Sequence, residues 1–253
     1  MKLSVIIPMY NEKAIAAECA ASLTKRLEKD AIAELYKYEI IFSDDGSTDG
    51  CGDAVREFAS SQPLECGEVR VITSPKNEGK GNAVRRGMLT AKGDFILFTD
   101  CDLAYGVDSV VEMFHAASEI HEKDRSCCVM IGSRAIHKDG YSGYTFLRKL
   151  ASRTFIFILS QTAGFSHSDS QSGIKIFKRE AAREIFSLCT VNGWAFDFEA
   201  LLIAEKLGYS IREFPVQVIN HRESKIHLFS DTLKMVSDVK KIKKRVDGLD
   251  LKK

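Results

Sequence analysis

The chain has 253 residues, 45% of them hydrophobic, which is enough to bury a substantial core in an α/β domain and excludes a disordered protein. Its 36 basic residues nearly balance 35 acidic ones, which argues against wholesale binding to nucleic acid and leaves any electrostatic partner to local clusters. Seven cysteines (Cys19, Cys51, Cys66, Cys101, Cys127, Cys128, Cys189) show no C-x-x-C spacing, so neither zinc nor a disulfide framework is suggested, and a reducing cytosol fits.

The opening MKLSVIIPMYNE has one lysine and a brief apolar run broken by Pro8, too short for a signal peptide or a membrane span. Leu3 to Ile7, Glu39 to Phe42, Val69 to Ile72 and Phe95 to Phe98 read as short buried strands rich in Ile, Val and Phe. Helical spacing lies between them, over Glu12 to Glu28, Asp49 to Ser60 and Lys80 to Thr90. Strand followed by helix, repeated, predicts a mostly parallel central sheet flanked by helices, with ligands bound at the carboxyl ends of its strands. Further on, Cys127 to Ile131 reads as a strand ending in GSR, Ser142 to Gln161 as a long helix and Gly173 to Phe177 as a short strand. Arg179 to Leu188 and Ala195 to Leu207 read as helices, and Tyr209 to Asn220 as an edge segment interrupted by Pro215. Phe229 to Arg245 closes the chain as an amphipathic helix running into a basic tail. No repeat or linker divides the rest, so residues 1–230 read as one domain and residues 231–253 as a C-terminal helix and tail.

The first four strands each end in a polar, turn-forming loop: PMYNE, SDDGSTDG, SPKNEGKG and TDCD. Asp100 and Asp102 leave the apolar run FILF together, and paired carboxylate oxygens are natural ligands for Mg²⁺ or Mn²⁺. A helix cap is the competing reading for that pair. DDGSTDG reads either as a turn held by Asx caps or as a site where Asp44 or Asp45 accepts hydrogen bonds from a nucleobase or ribose. GKG lacks the spacing and the Ser or Thr of a Walker loop, which leaves Lys80 as a cation near phosphate and its glycines as backbone relief.

PMYNE, DDGSTDG, GKGNAVRRG and DCD, in that order, resemble the family 2 glycosyltransferases, whose nucleotide-sugar-binding fold is called GT-A. GSR at 132–134, DSQSGIKIF at 169–177, WAFDFE at 194–199 and HRESKI at 221–226 resemble the polyprenyl-phosphate branch, the dolichyl-phosphate glucose and mannose synthases. The resemblance implies a divalent metal at Asp100 and Asp102 and a nucleotide-sugar held by Pro8, Tyr10, Glu12, Asp44, Asp45, Lys80 and Asp100. D-C-D stands where D-A-D is commoner, so Cys101 is expected to pack rather than ligate. UDP-glucose is the implied donor, with GDP-mannose second.

A bound divalent cation would ease departure of the nucleotide diphosphate, and a nucleophile opposite the leaving group would invert the anomeric carbon. A lipid monophosphate acceptor, with a second pKa of about 6, is largely dianionic at neutral pH and needs no strong base. Asp197 then orients sugar or acceptor, or is simply an acidic residue at a helix N-terminus. Arg134, Arg222 and Lys225 are the expected phosphate receptor, against the alternative of ordinary surface charges. Residues 146–165 join Arg148, Lys149 and Arg153 to an apolar run, Phe155 to Leu159, that suits a membrane interface or a buried core. Lys240, Lys241, Lys243, Lys244 and Arg245 suit anionic lipid or solvent. These features predict a peripheral enzyme at the cytoplasmic face of a membrane. A transferase acting on a sugar hydroxyl and a non-catalytic nucleotide-sugar-binding protein are the alternatives. A nicotinamide enzyme is disfavoured because no G-x-G-x-x-G follows the first strand.

Overall fold

The computed structural model describes residues 1–141, 167–220 and 228–250. Its elements in chain order are β1 (Lys2–Met9), α1 (Lys13–Glu34), β2 (Lys37–Asp44), α2 (Cys51–Ser61), β3 (Gly67–Thr73), α3 (Lys80–Thr90), β4 (Phe95–Thr99) and α4 (Gly106–Lys123). They continue as β5 (Cys127–Ser133), β6 (Ile174–Lys178), α5 (Arg179–Leu188), α6 (Phe196–Lys206), β7 (Ser210–Pro215) and α7 (Leu228–Asp247). The expected helix over 142–161, the basic-apolar segment over 146–165, and Arg222 and Lys225 of HRESKI lie outside the described residues.

Seven strands form one sheet in the order β3-β2-β1-β4-β6-β5-β7. Neighbouring strands run parallel except β6, which is antiparallel to both β4 and β5. The sheet is therefore mostly parallel, as expected, and Pro215 closes its edge strand β7, where a missing backbone donor is tolerated. The stretch between β4 and β5, given no element above, is helix α4. Its inward residues Val110, Met113, Phe114, Ala117 and His121 recur at helical spacing, a period readable in the sequence.

Central strands are apolar on both faces because helices cover both. Leu3, Val5 and Ile7 of β1 pack with Leu23 and Leu27 of α1 and with Val110 and Phe114 of α4. Ile6, pointing the other way, packs with Val84 and Met88 of α3. In β4, Phe95 and Leu97 join the first cluster and Ile96 and Phe98 the second. The end of α7 belongs to this second layer through Val239, Ile242 and Val246, while Lys240, Lys241 and Lys244 face solvent. Arg245, grouped above with the basic tail, turns inward instead: its Nη2 donates to Glu199 Oε1 at 2.5 Å and its Nη1 to Leu188 O at 3.2 Å.

Parallel register places the ends of β1, β2 and β3 side by side, with Met9 opposite Asp44 and Asp44 opposite Thr73. β4 ends beside them, and antiparallel β6 starts there, with Thr99 opposite Ile174. Loops after β1, β2, β3, β4 and β5, together with the loop before β6, thus meet on one edge.

Toward the opposite edge lies the buried carboxylate of Glu39. It accepts from Ser4 Oγ and Lys92 N, each at 2.6 Å, and from Arg70 Nη2 at 3.3 Å. Burial alone would raise its pKa, but those bonds and the charges of Lys2 and Arg70 prevail and hold it below the ordinary glutamate value. A depressed carboxyl stabilises the fold above the unfolded value, and that contribution fades as pH falls through the folded one. Glu39→Gln is therefore expected to cost about 1–3 kcal/mol in urea denaturation at pH 7. The gap from wild type should narrow once the pH drops below about 4, and a pH-independent gap would contradict the assignment.

Candidate active site

The acidic loop starts where β4 runs out. Leu103 N donates to Asp100 O at 3.0 Å and Gly106 N to Leu103 O at 2.8 Å, two turns that lead into α4. Asp102 Oδ1 accepts from Ala104 N at 3.0 Å, an Asx turn that fixes one carboxylate oxygen. Asn220 Nδ2 straps the loop from outside by donating to Leu103 O at 3.0 Å. Cys101 turns into the core, as expected of a packing residue, beside Cys19; both are free thiols, and a hydrogen bond with Cys101 together with burial pushes the Cys19 thiol well up.

Asp100 Oδ1 meets Lys80 Nζ at 2.5 Å. Gly173 makes room on the other side, since a Cβ there would collide with Asp100 Oδ2. Lys80 opens α3 directly after Gly79, whose φ of +103° is one that L side chains rarely adopt. The 189–194 loop closes over this turn. Gly81 N donates to Asn192 O at 2.7 Å, and Lys80 Nζ lies 5.0 Å from the centre of the exposed Trp194 ring. Burial alone would lower the pKa of Lys80, but Asp100, Asp197 and Asp102 outweigh it and keep the ammonium above its ordinary value.

Asp197, in the first turn of α6, is buried. Its Oδ1 accepts from Lys175 Nζ at 3.0 Å. Burial pushes its pKa above the ordinary aspartate value, Lys175 and Lys80 pull it down, and Asp100 adds to the rise. Glu199, two residues along and fully buried, accepts from Thr190 N at 2.9 Å and Val191 N at 2.8 Å and so carries the loop bearing Trp194.

On the β1 and β2 side, Pro8 and Met9 end a buried strand and Tyr10 stands exposed. Asn11, at φ +52°, stitches two loops: its N donates to Ser47 Oγ at 2.9 Å and its Oδ1 accepts from Thr48 N at 3.0 Å. Glu12 starts α1 through its carbonyl, which accepts from Ile15 N and Ala16 N at 3.0 Å. Asp44 Oδ1 accepts from Ser47 N at 3.0 Å, the turn-holding alternative for that residue. Asp45, 2% exposed, spends its carboxylate on Glu78 N and on Gly79 N at 2.7 Å, which makes it the anchor of the turn before Lys80.

Arg134, expected as part of the phosphate receptor, is buried and paired within the protein. Its Nε donates to Asp169 Oδ2 at 2.6 Å and its Nη2 to Asp169 Oδ1 at 2.8 Å, a bidentate grip on a fully buried carboxylate. The Nε and Nη2 edge of the fork is thus engaged on a carboxylate inside the protein. Asp169, Lys175 and Glu199 were not singled out from sequence. For Lys175 and Glu199 the available signal was a charge within an apolar run, as in IKIF and FDFEALLIA; Asp169, in the polar stretch SHSDSQSG, had none.

Only oxygen donors are presented by Asp100 and Asp102, and no third His, Cys, Asp or Glu completes a metal cluster among the described residues. A hard divalent cation that takes its remaining ligands from a diphosphate and water fits this donor set; zinc or a softer metal does not.

Residues 4–186 match the family described as Glycosyl transferase family 2. Over 246 residues the chain is 32% identical to a dolichyl-phosphate beta-glucosyltransferase of Dictyostelium discoideum, a match covering 96% of this chain and 74% of that one. Proteins of the same name from Drosophila melanogaster and Homo sapiens are 34% and 33% identical, each match covering 94% of this chain and 73% and 74% of theirs. The fold resembles that of glucosyl-3-phosphoglycerate synthase from Mycobacterium tuberculosis, solved with Mn²⁺ and UDP-glucose. That superposition has a TM-score of 0.65 at 19% identity and covers 99% of this chain and 80% of the other.

The ion pair at Arg134 sets a test of its own. Arg134→Met strands a buried carboxylate and is expected to cost about 3–5 kcal/mol in chemical denaturation, most of it regained in the Arg134→Met, Asp169→Leu double variant. Unchanged stability in the single variant would return Arg134 to the role of an open receptor.

Proposed function

Since the chain belongs to glycosyl transferase family 2, we propose that it transfers glucose from UDP-glucose to a polyprenyl phosphate, with inversion at the anomeric carbon. The observation that carries this reading is the convergence of Asp100 after β4, Lys80 at the start of α3 and Asp197 in the first turn of α6, in a chain that matches dolichyl-phosphate glucosyltransferases over almost its whole length. The names of those relatives favour glucose over mannose.

Pro8, Tyr10, Glu12, Asp44 and Asp45 frame the nucleotide, and Lys80 reaches its diphosphate. Asp100 and Asp102 would hold Mg²⁺ or Mn²⁺, which supplies Lewis-acid stabilisation of the departing UDP. An oxygen of the lipid phosphate forms the new bond to C1 as the C1–O bond to the diphosphate breaks, and the electron pair leaves with UDP. That acceptor already carries nearly two negative charges at neutral pH, so no side chain need remove a proton. Asp197 orients the reacting sugar. Arg222 and Lys225 receive the lipid phosphate, while Arg134 braces the loop that lines its approach through Asp169.

No helix among the described residues is long and apolar enough to cross a membrane. Lys240, Lys241 and Lys244, exposed on α7, are proposed to face anionic lipid at the cytoplasmic side of the bilayer.

Purified protein given UDP-glucose, Mn²⁺ and a short-chain polyprenyl phosphate should yield glucosylated lipid detectable by mass spectrometry. UDP formation without lipid product would overturn the acceptor assignment. Asp102→Ala should lower turnover by about 100-fold or more. Gly173→Ala, which displaces the Asp100 carboxylate, should cost at least about tenfold with the fold retained. Wild-type rates in either variant would remove the acidic loop from the reaction.

A further inference from the structure

We propose that Lys175 is a positioning residue for the transfer, its buried ammonium holding Asp197 in place and tying it to the 168–173 loop beside Asp100. The proposal rests on the glucosyl-transfer reading above and deepens it.

Lys175 sits in the middle of the sheet, paired with Phe98 of β4 on one side and Ile131 of β5 on the other, with no exposed surface. An ammonium in that position is costly unless it is fully paired, and an aliphatic side chain between Ile174 and Ile176 would fill the same space without that cost. The contacts of the lysine all point toward the active edge. Nζ donates to Ser172 O at 2.6 Å and to Asp197 Oδ1 at 3.0 Å, and lies 5.4 Å from the centre of the Phe98 ring. Ser172 directly precedes Gly173, whose lack of a side chain admits Asp100. Asp197 belongs to a different element, the first turn of α6, and shares the field of Lys80 and Asp100. One cation therefore joins the two segments that flank Asp100.

Asp197 is approached by charges from two directions. Lys175 reaches it from the sheet, while Lys80, from α3, and Asp100, from β4, act on it across the site. Without Lys175, the buried carboxylate loses the donor that fixes its Oδ1 and swings away from this position. Lys175 touches no reacting atom; its effect on turnover passes through Asp197.

A double-mutant cycle tests this, measured both as lipid glucosylation and as the slow hydrolysis of UDP-glucose, which needs no lipid. Lys175→Met should lower kcat about tenfold with KM for UDP-glucose within about twofold, the pattern of an interaction lost mainly in the transition state. Asp197→Asn should cost a similar factor, and the Lys175→Met, Asp197→Asn double variant no more than either single change. Multiplying losses, or a wild-type kcat in Lys175→Met, would overturn the proposal. If Lys175→Met does not fold, the double variant, which leaves no carboxylate unpaired at this point, is compared with Asp197→Asn. Equal kcat supports action through Asp197 and a further loss refutes it. Wild-type protein that hydrolyses the donor without glucosylating lipid would defeat the acceptor assignment alone, and the cycle read on hydrolysis would still decide the role of Lys175.

Discussion

Charge balance around the end of β4 governs the architecture of the active edge. Three carboxylates, Asp100, Asp102 and Asp197, act on one ammonium, Lys80, and the charge of Asp100 opposes that of Asp197. Lys80 lowers that repulsion by sitting 2.5 Å from Asp100, and Lys175 supplies a second cation to Asp197 from below. The same negative field suits a divalent ion that arrives with a diphosphate, because each component offsets the charge of another.

Around this centre, buried carboxylates hold the loops. Asp45 secures the turn before Lys80, Glu199 carries the 190–191 segment beneath Trp194, and Asp169 clasps Arg134 at the loop that leads to Gly173. Loops have backbone N–H groups left over from regular structure, and a carboxylate that accepts two or three of them is both satisfied and fixed in place. Glu39 does the same near the other edge with Ser4, Lys92 and Arg70. The sheet is held by apolar packing, whereas its active edge is held by charged hydrogen bonds, which carry more directional information than packing does.

Strand positions and polar loops were legible in sequence because they depend on local pattern: LSVII and FILF must be buried, and DDGSTDG and TDCD must turn. The parallel register of β1 to β4 follows from the alternation of strand and helix and brings those loops to one edge. Helix α4 had a readable period at Val110, Phe114, Ala117 and His121 but none of the conspicuous motifs that draw attention to a segment. The reversal of β6 was not readable, since whether IKIF enters the sheet parallel or antiparallel depends on where the preceding chain returns.

By itself the amino-acid sequence determined the fold class, the transferase family and the acidic pair at Asp100 and Asp102, all properties of contiguous runs and their order. Partnership was decided only by the tertiary structure. Arg134 closes on Asp169, Lys175 pairs with Asp197 and Lys80 lies against Asp100 across separations of 35, 22 and 20 residues. Spacing along the chain does not encode such pairs, because a charge in the interior takes whichever opposite charge the packing of strands and loops brings within reach.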